Sequence, residues 1–165
     1  VVTSDGIAFS FDGGWVLSRL LAGVFPPAER IIPEKSELVV TIDRVELERA
    51  IRSAAVFARD AANIVRWIVK DGELTISANS PQIGENETKL SVSGKGSVPS
   101  ESEGGEIAFN ARYLLDWIGS VNSEQVEFGM SGPLKPGVFR PVGDMTYTHV
   151  IMPVRVQKEE GERSG

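Results

Sequence analysis

Two stretches of this chain begin in the same way, and the repetition limits what it can fold into. Glu37 to Ile42 is a β-branched run ending at Asp43, and Gly105 to Phe109 is a short apolar run ending at Asn110. Asp and Asn both favour helix N-caps, because a short side-chain oxygen can accept from a backbone N–H that the first helical turn leaves unpaired. Glu46 completes a capping box with Asp43. Ile42 with Leu47, and Phe109 with Leu114, occupy the two positions of a hydrophobic staple. Each cap is therefore expected to open a helix, one running to about Arg59 and the other to about Ser120.

Three strand candidates follow each helix. After the first come Ile64–Lys70, Glu73–Ala78 and Glu87–Ser93, with Asp71-Gly72 as a tight turn. After the second come Gln125–Ser131, Gly137–Val142 and Thr146–Val154. The unit is strand, helix, three strands, used twice. Two such units can lay their helices on one face and their strands on the other, so the fold class expected is α+β. Before the repeat, Ile7–Phe11 and Trp15–Leu21 flank Asp12-Gly13-Gly14 and read as a hairpin. Gly23 to Pro33 contains three prolines and reads as a linker. The tail from Gln157 to Gly165 is charged and aperiodic, so it is expected to be disordered. The chain opens at Val1 and reads at once as strand, which suggests a fragment of a longer protein.

Composition narrows the chemistry. Cysteine is absent, so disulfides, thiolate metal sites and a cysteine nucleophile are excluded, in keeping with a cytoplasmic location. No apolar run approaches the roughly 20 residues of a membrane span. His149 is the only histidine, which argues against a histidine-based metal site; no metal or cofactor is expected. A His149–Asp144 pair could serve a small hydrolase, but no serine lies in a nucleophile-elbow sequence. Gly94-Lys95-Gly96-Ser97 lacks the order of a phosphate loop and reads as a turn. No catalytic residue is assigned. The net charge of −6 argues against simple coating of DNA, which needs clustered Lys and Arg.

The first helix has two distinct faces. Leu47, Ala50, Ile51, Ala54, Phe57 and Ala58 form an apolar stripe. Arg44, Glu48, Arg52 and Arg59 lie opposite. That face could contact phosphates without regard to sequence, or it could be a solvated face with ion pairs at helical spacing.

Three distant segments carry a family resemblance. They are Phe25-Pro26-Pro27-Ala28-Glu29-Arg30-Ile31-Ile32-Pro33, Phe109-Asn110-Ala111-Arg112-Tyr113-Leu114-Leu115-Asp116, and Tyr147-Thr148-His149-Val150-Ile151-Met152-Pro153-Val154-Arg155-Val156. In this order and spacing they resemble the third domain of the bacterial replicative sliding clamp, the beta subunit of DNA polymerase III. The resemblance implies the DNA-clamp fold of paired βαβββ units. Residues 1–24 would then be the last strands of clamp domain two, 25–156 domain three and 157–165 a tail. It also implies a processivity factor, not an enzyme: an accessory subunit that encircles double-stranded DNA and tethers the polymerase. Partners would be the polymerase III alpha subunit, the clamp loader and other proteins bearing a clamp-binding peptide. The full-length form would be a homodimeric ring.

The resemblance also assigns sites. Pro26, Arg30 and Ile31 match the family's linker positions in a peptide-binding groove, and Asn110 and Tyr113 match its Asn-x-x-Tyr. Leu134 and Pro136 match the loop forming one wall. Val150, Ile151, Met152, Pro153, Val154 and Arg155 match the C-terminal strand. Arg44, Arg52 and Arg59 would face the DNA channel, and Val56 and Phe57 the ring interface. Pro27-Ala28-Glu29 departs from the usual acidic-aromatic-basic sequence. The second-domain wall of the groove has no counterpart in this chain, so the groove is expected to be incomplete and the ring unable to close by itself. The alternative is a peptide-docking module of the same fold that never encircles DNA.

Overall fold

Both expected caps form. Asp43 Oδ1 accepts from the Glu46 amide at 2.9 Å, and Asn110 Oδ1 accepts from the Arg112 amide at 2.9 Å. The structure is a computed structural model that describes residues 1–24, 27–99, 105–144 and 146–156. It divides into two units, Val1–Ile31 and Ile32–Gly165.

The first unit is a hairpin of β1 (Gly6–Phe11) and β2 (Gly14–Arg19), followed by the single turn α1 (Ala28–Ile31) inside the expected linker. Gly13, at φ +86°, supplies the left-handed residue of the turn between the strands. Phe9, Phe11, Trp15 and Leu17 are all more than half exposed.

The second unit carries the repeat. Its elements are β3 (Leu38–Asp43), α2 (Arg44–Ala58), β4 (Ile64–Lys70), β5 (Glu73–Ser80), β6 (Gly84–Ser91) and β7 (Ser93–Gly96). Then come β8 (Glu106–Asn110), α3 (Ala111–Ser120), β9 (Gln125–Met130), β10 (Gly137–Pro141) and β11 (His149–Ile151). Asp71 and Gly72 have φ of +51° and +79°, the backbone of a two-residue hairpin turn that matches strand twist.

Each sheet takes a strand from the other repeat. One sheet runs β6-β5-β4-β8 and the other β11-β10-β9-β3-β7. Thus β8, which opens the second repeat, pairs with β4 of the first, Arg66 opposite Ala108. Likewise β3 pairs with β9, Val40 opposite Phe128. The crossings have a second part. After β6 the chain leaves its sheet and runs as β7 along β3, Val39 opposite Lys95. After β11 it crosses the other way, and the Val154 amide donates to the Ala108 carbonyl of β8 at 2.8 Å.

Three expectations need correction. Gly94-Lys95-Gly96 is strand, not turn: a Cβ at Gly94 would lie 2.9 Å from the Val39 carbonyl oxygen, so glycine is what lets β7 approach β3. The strand expected over Glu87–Ser93 is broken at Val92, whose amide turns to the Gly72 carbonyl at 2.9 Å. The C-terminal strand spans only His149–Ile151 instead of Thr146–Val154, because the chain leaves β10 there and Pro153 has no amide to extend the ladder. The tail from residue 157, expected to be disordered, lies outside the described residues.

The core lies between helices and sheets. Leu47, Ala50, Ile51, Ala54 and Ala58 of α2 are buried, as the stripe required. Leu47 and Ile51, both 0% exposed, contribute about 1.5–3 kcal/mol each on burial. At the centre Trp67 meets Phe109, Phe128 and Phe139 edge-on at centroid distances of 5.6, 5.1 and 6.0 Å.

Candidate functional site

Strand register brings several of the expected groove residues of the second unit to one end. Ile151 pairs with Gly137, so the 134–136 loop just before β10 adjoins the residues just after β11. The Val154–Ala108 hydrogen bond sets the same segment beside the last residues of β8, where Asn110 caps α3. Tyr113 lies in the first turn of α3 and is 59% exposed. Leu134 and Met152 are 53% and 58% exposed. A large apolar residue is therefore open to solvent on each of three adjoining segments, a surface suited to apolar anchors of a peptide.

The other members of the set differ in role. Ile151 is 3% exposed and is core. Val150, Pro153, Val154 and Pro136 are half-buried, and Arg155 is exposed. Asn110 spends its side-chain oxygen on the cap, leaving its amide NH₂ as the donor a peptide carbonyl could use. Arg30 and Ile31 belong to the first unit, both exposed, on α1. Pro26 lies outside the described residues.

The basic face of α2 is neutralised only in part, by one carboxylate shared between two arginines. Glu48 receives Arg44 Nη1 at 3.1 Å on one oxygen and Arg52 Nη2 at 2.7 Å on the other. Arg52 Nε adds a bond at 3.0 Å. The Arg52 hydrogen bond, with the charges of Arg52 and Arg44, holds the Glu48 carboxyl below its ordinary pKa against the opposing effect of desolvation. Both cations keep N–H groups free of this carboxylate. Arg59 follows the last turn and is exposed. Sequence reasoning passed over Arg49 on α2 and Arg112 on α3, both exposed. The spacing of Arg49, three residues before Arg52, was the signal available for the first. Val56 is 55% exposed while Phe57 packs partly against the core, which separates the two residues assigned to the ring interface.

The His149–Asp144 arrangement has structural partners instead. Asp144 Oδ1 accepts from the Thr146 amide at 2.8 Å and its hydroxyl at 2.6 Å, closing a turn. His149 Nδ1 faces the Tyr147 hydroxyl at 3.5 Å, and its ring stacks near Trp117. Burial pushes the His149 pKa down. Among the described residues no group of three His, Cys, Asp or Glu could hold a metal ion. No described helix is long and apolar enough to cross a membrane.

The family described as DNA polymerase III beta subunit, C-terminal domain, matches residues 29–155. The chain belongs to this family. A beta sliding clamp of Staphylococcus aureus is 30% identical over 155 residues, covering 92% of this chain and 39% of the relative. One from Staphylococcus epidermidis is 31% identical over 142 residues, covering 84% and 36%. The DNA polymerase III beta subunit of Pseudomonas aeruginosa superposes with a TM-score of 0.79 at 29% identity, over 94% of this chain and 41% of that one. The clamp of Bartonella birtlesii, solved bound to griselimycin, gives 0.79 at 29%, over 94% and 40%. The beta subunit of Thermotoga maritima gives 0.79 at 22% identity over 94% and 41%, a likeness of fold. The chain thus spans about two fifths of the length of these clamp relatives, and the clamp fold is the one that the family resemblance implied.

Proposed function

We propose that this chain is the C-terminal part of a sliding clamp, the end of domain two plus domain three, and that its main task is to dock polymerase and other partners by a short peptide. Encirclement by the full-length homodimeric ring would hold double-stranded DNA without sequence preference. Tethering would then keep a polymerase at high effective concentration near the primer end, so the chain acts as an accessory subunit and catalyses nothing itself. A separate loader would open the ring. The setting would be the cytoplasm, where bacterial DNA is replicated.

The observation that carries the docking reading is the convergence of Tyr113, Leu134 and Met152, exposed and apolar, on three adjoining segments. The family resemblance assigns Pro26, Arg30 and Ile31 to peptide binding as well, and a further wall to the upstream domain. Arg44, Arg52 and Arg59 would face DNA, and Val56 with Phe57 would meet the next subunit. The exposed aromatics of β1 and β2 fit strands whose sheet continues into residues that precede them in longer relatives.

The test is fluorescence anisotropy with a labelled peptide bearing a glutamine and apolar anchors, with griselimycin as competitor. Saturable binding that griselimycin displaces, and that a Met152→Ala, Arg155→Ala variant weakens, is expected. Absence of binding both to this chain and to a form with the upstream domains restored refutes the docking reading. The Glu48 clamp on Arg44 and Arg52 favours a second reading, a docking module that never encircles DNA. Unchanged DNA-dependent polymerase stimulation after Arg44→Ala, Arg52→Ala, in the restored form, would select it.

A further inference from the structure

Ala108 is buried on the face of β8 where alternation calls for exposure. Ile107 and Phe109 point into the core, at 2% and 0% exposed. Ala108 should therefore face outward, opposite Arg66 of β4, which is exposed. Yet Ala108 is 4% exposed. The chain after β11 runs alongside it. The Val154 amide donates to the Ala108 carbonyl at 2.8 Å. Two residues on, Val156 lines a depression of about 540 Å³ with Ile64 and Arg66 of β4. The segment 152–156 thus passes from the edge of one sheet to the free edge of β8 in the other, and from there to the outer side of β4.

This strap fixes Met152 at both ends. Ile151 is held by pairing with Gly137, and Val154 by Ala108. Only Met152 and Pro153 lie between, and consecutive Cα atoms are about 3.8 Å apart, so there is little slack. Pro153 restricts it further by fixing its own φ. A methionine side chain is adaptable, but its backbone here is not.

We infer that Ala108 is a positioning residue for peptide docking: its small side chain lets the strap seat on β8 and so presents Met152 and Arg155 to the ligand. The inference rests on the docking reading above. It requires a small residue at a position that touches no peptide.

The experiment compares wild type, Ala108→Leu and Val154→Pro in the full chain. Ala108→Leu adds bulk under the strap, while Val154→Pro removes the one amide donor and leaves β8 untouched. Hydrogen exchange read at the strap amides and at β4–β5 reports seating without any peptide. Anisotropy with the labelled peptide reports docking. Ala108→Leu is expected to speed exchange at the Val154 amide, and both variants are expected to weaken peptide binding, each by about tenfold, with β4–β5 protection retained. Val154→Pro keeps the test open if the leucine variant fails to fold. Peptide affinity equal to wild type once the strap is freed overturns the inference and leaves the docking reading intact. So does an unchanged exchange rate of the Val154 amide in folded Ala108→Leu. No peptide binding by wild type, even with upstream domains restored, overturns both.

Discussion

Gly137 is a position where one methyl group should be felt across the molecule. A Cβ there would lie 2.6 Å from Phe109 Cζ, 2.9 Å from Cε1, and 3.1 Å from Phe139 Cε2. Carbon atoms in contact sit at about 3.5–4.0 Å, so the Phe109 ring tip must retreat by roughly 1 Å. It has nowhere to go. Phe109 is 0% exposed and is met edge-on by Trp67, Phe128 and Phe139 at 5.6, 5.9 and 5.6 Å. Overpacking of this kind costs about 1–3 kcal/mol. Gly137 is not among the glycines with positive φ, so alanine recovers about 0.4–1 kcal/mol by restricting the unfolded chain. The expected net effect of Gly137→Ala is a loss of about 1–2 kcal/mol. With a urea m-value of about 1–3 kcal/mol/M, the midpoint falls by roughly 0.3–2 M with m unchanged. Unfolding is followed by tryptophan fluorescence in a Trp15→Phe background, so that buried Trp67 and Trp117 report the second unit. Phe109→Leu should cost less in the alanine background than alone, because the shorter side chain vacates the contested space. A midpoint equal to wild type, or a strictly additive double-mutant cycle, would refute the packing argument.

Other outcomes follow from the electrostatics and the core. Glu48→Gln should release Arg52, whereas Arg44 stays held by the Ser123 carbonyl at 3.1 Å, so binding of a short DNA duplex strengthens and the slope of log K against log salt steepens by roughly one; an unchanged slope would remove Arg52 from the DNA-facing set. The folded His149 pKa lies below its ordinary value near 6.5, so the unfolded chain takes up this proton first as pH falls. The contribution of His149 to stability therefore declines from about pH 6.5 downward through the depressed folded pKa. His149→Gln should flatten that part of the stability–pH curve, and identical curves would falsify the assignment. Phe128→Ala should cost about 3–5 kcal/mol in urea unfolding, since the ring is 0% exposed and meets Trp67 at 5.1 Å; a loss below about 1 kcal/mol would mean the site collapses freely.

The helices were legible because caps and stripes are local signals. Asp43 and Asn110 each accept the bond their residue type predicts, and both staples are buried. β4 and the end of α3 fall at the expected residues. What was not legible depends on contacts distant in sequence. Gly94 and Gly96 look like turn residues until β3 is placed beside them, and only then does the missing Cβ become the reason for a strand. The exchange of β3 and β8 between sheets leaves no local trace, since a strand's residues do not name its neighbour. At the candidate site, family resemblance supplied the groove residues. Alternation could have added Ala108, because Ile107-Ala108-Phe109 is apolar without a break and implies cover on both faces.

The exchange of strands between sheets makes the two halves of the repeat mutually dependent. A polypeptide ending before β8 would leave β4 with a bare edge and β3 without β9, and the complementary piece would lack the same partners. Neither could close its own hydrophobic layer. Cut in the connection between β7 and β8, the domain becomes a natural two-piece complementation pair, silent apart and assembled on mixing. During synthesis, too, the second unit can complete its sheets only once the chain has emerged as far as β11.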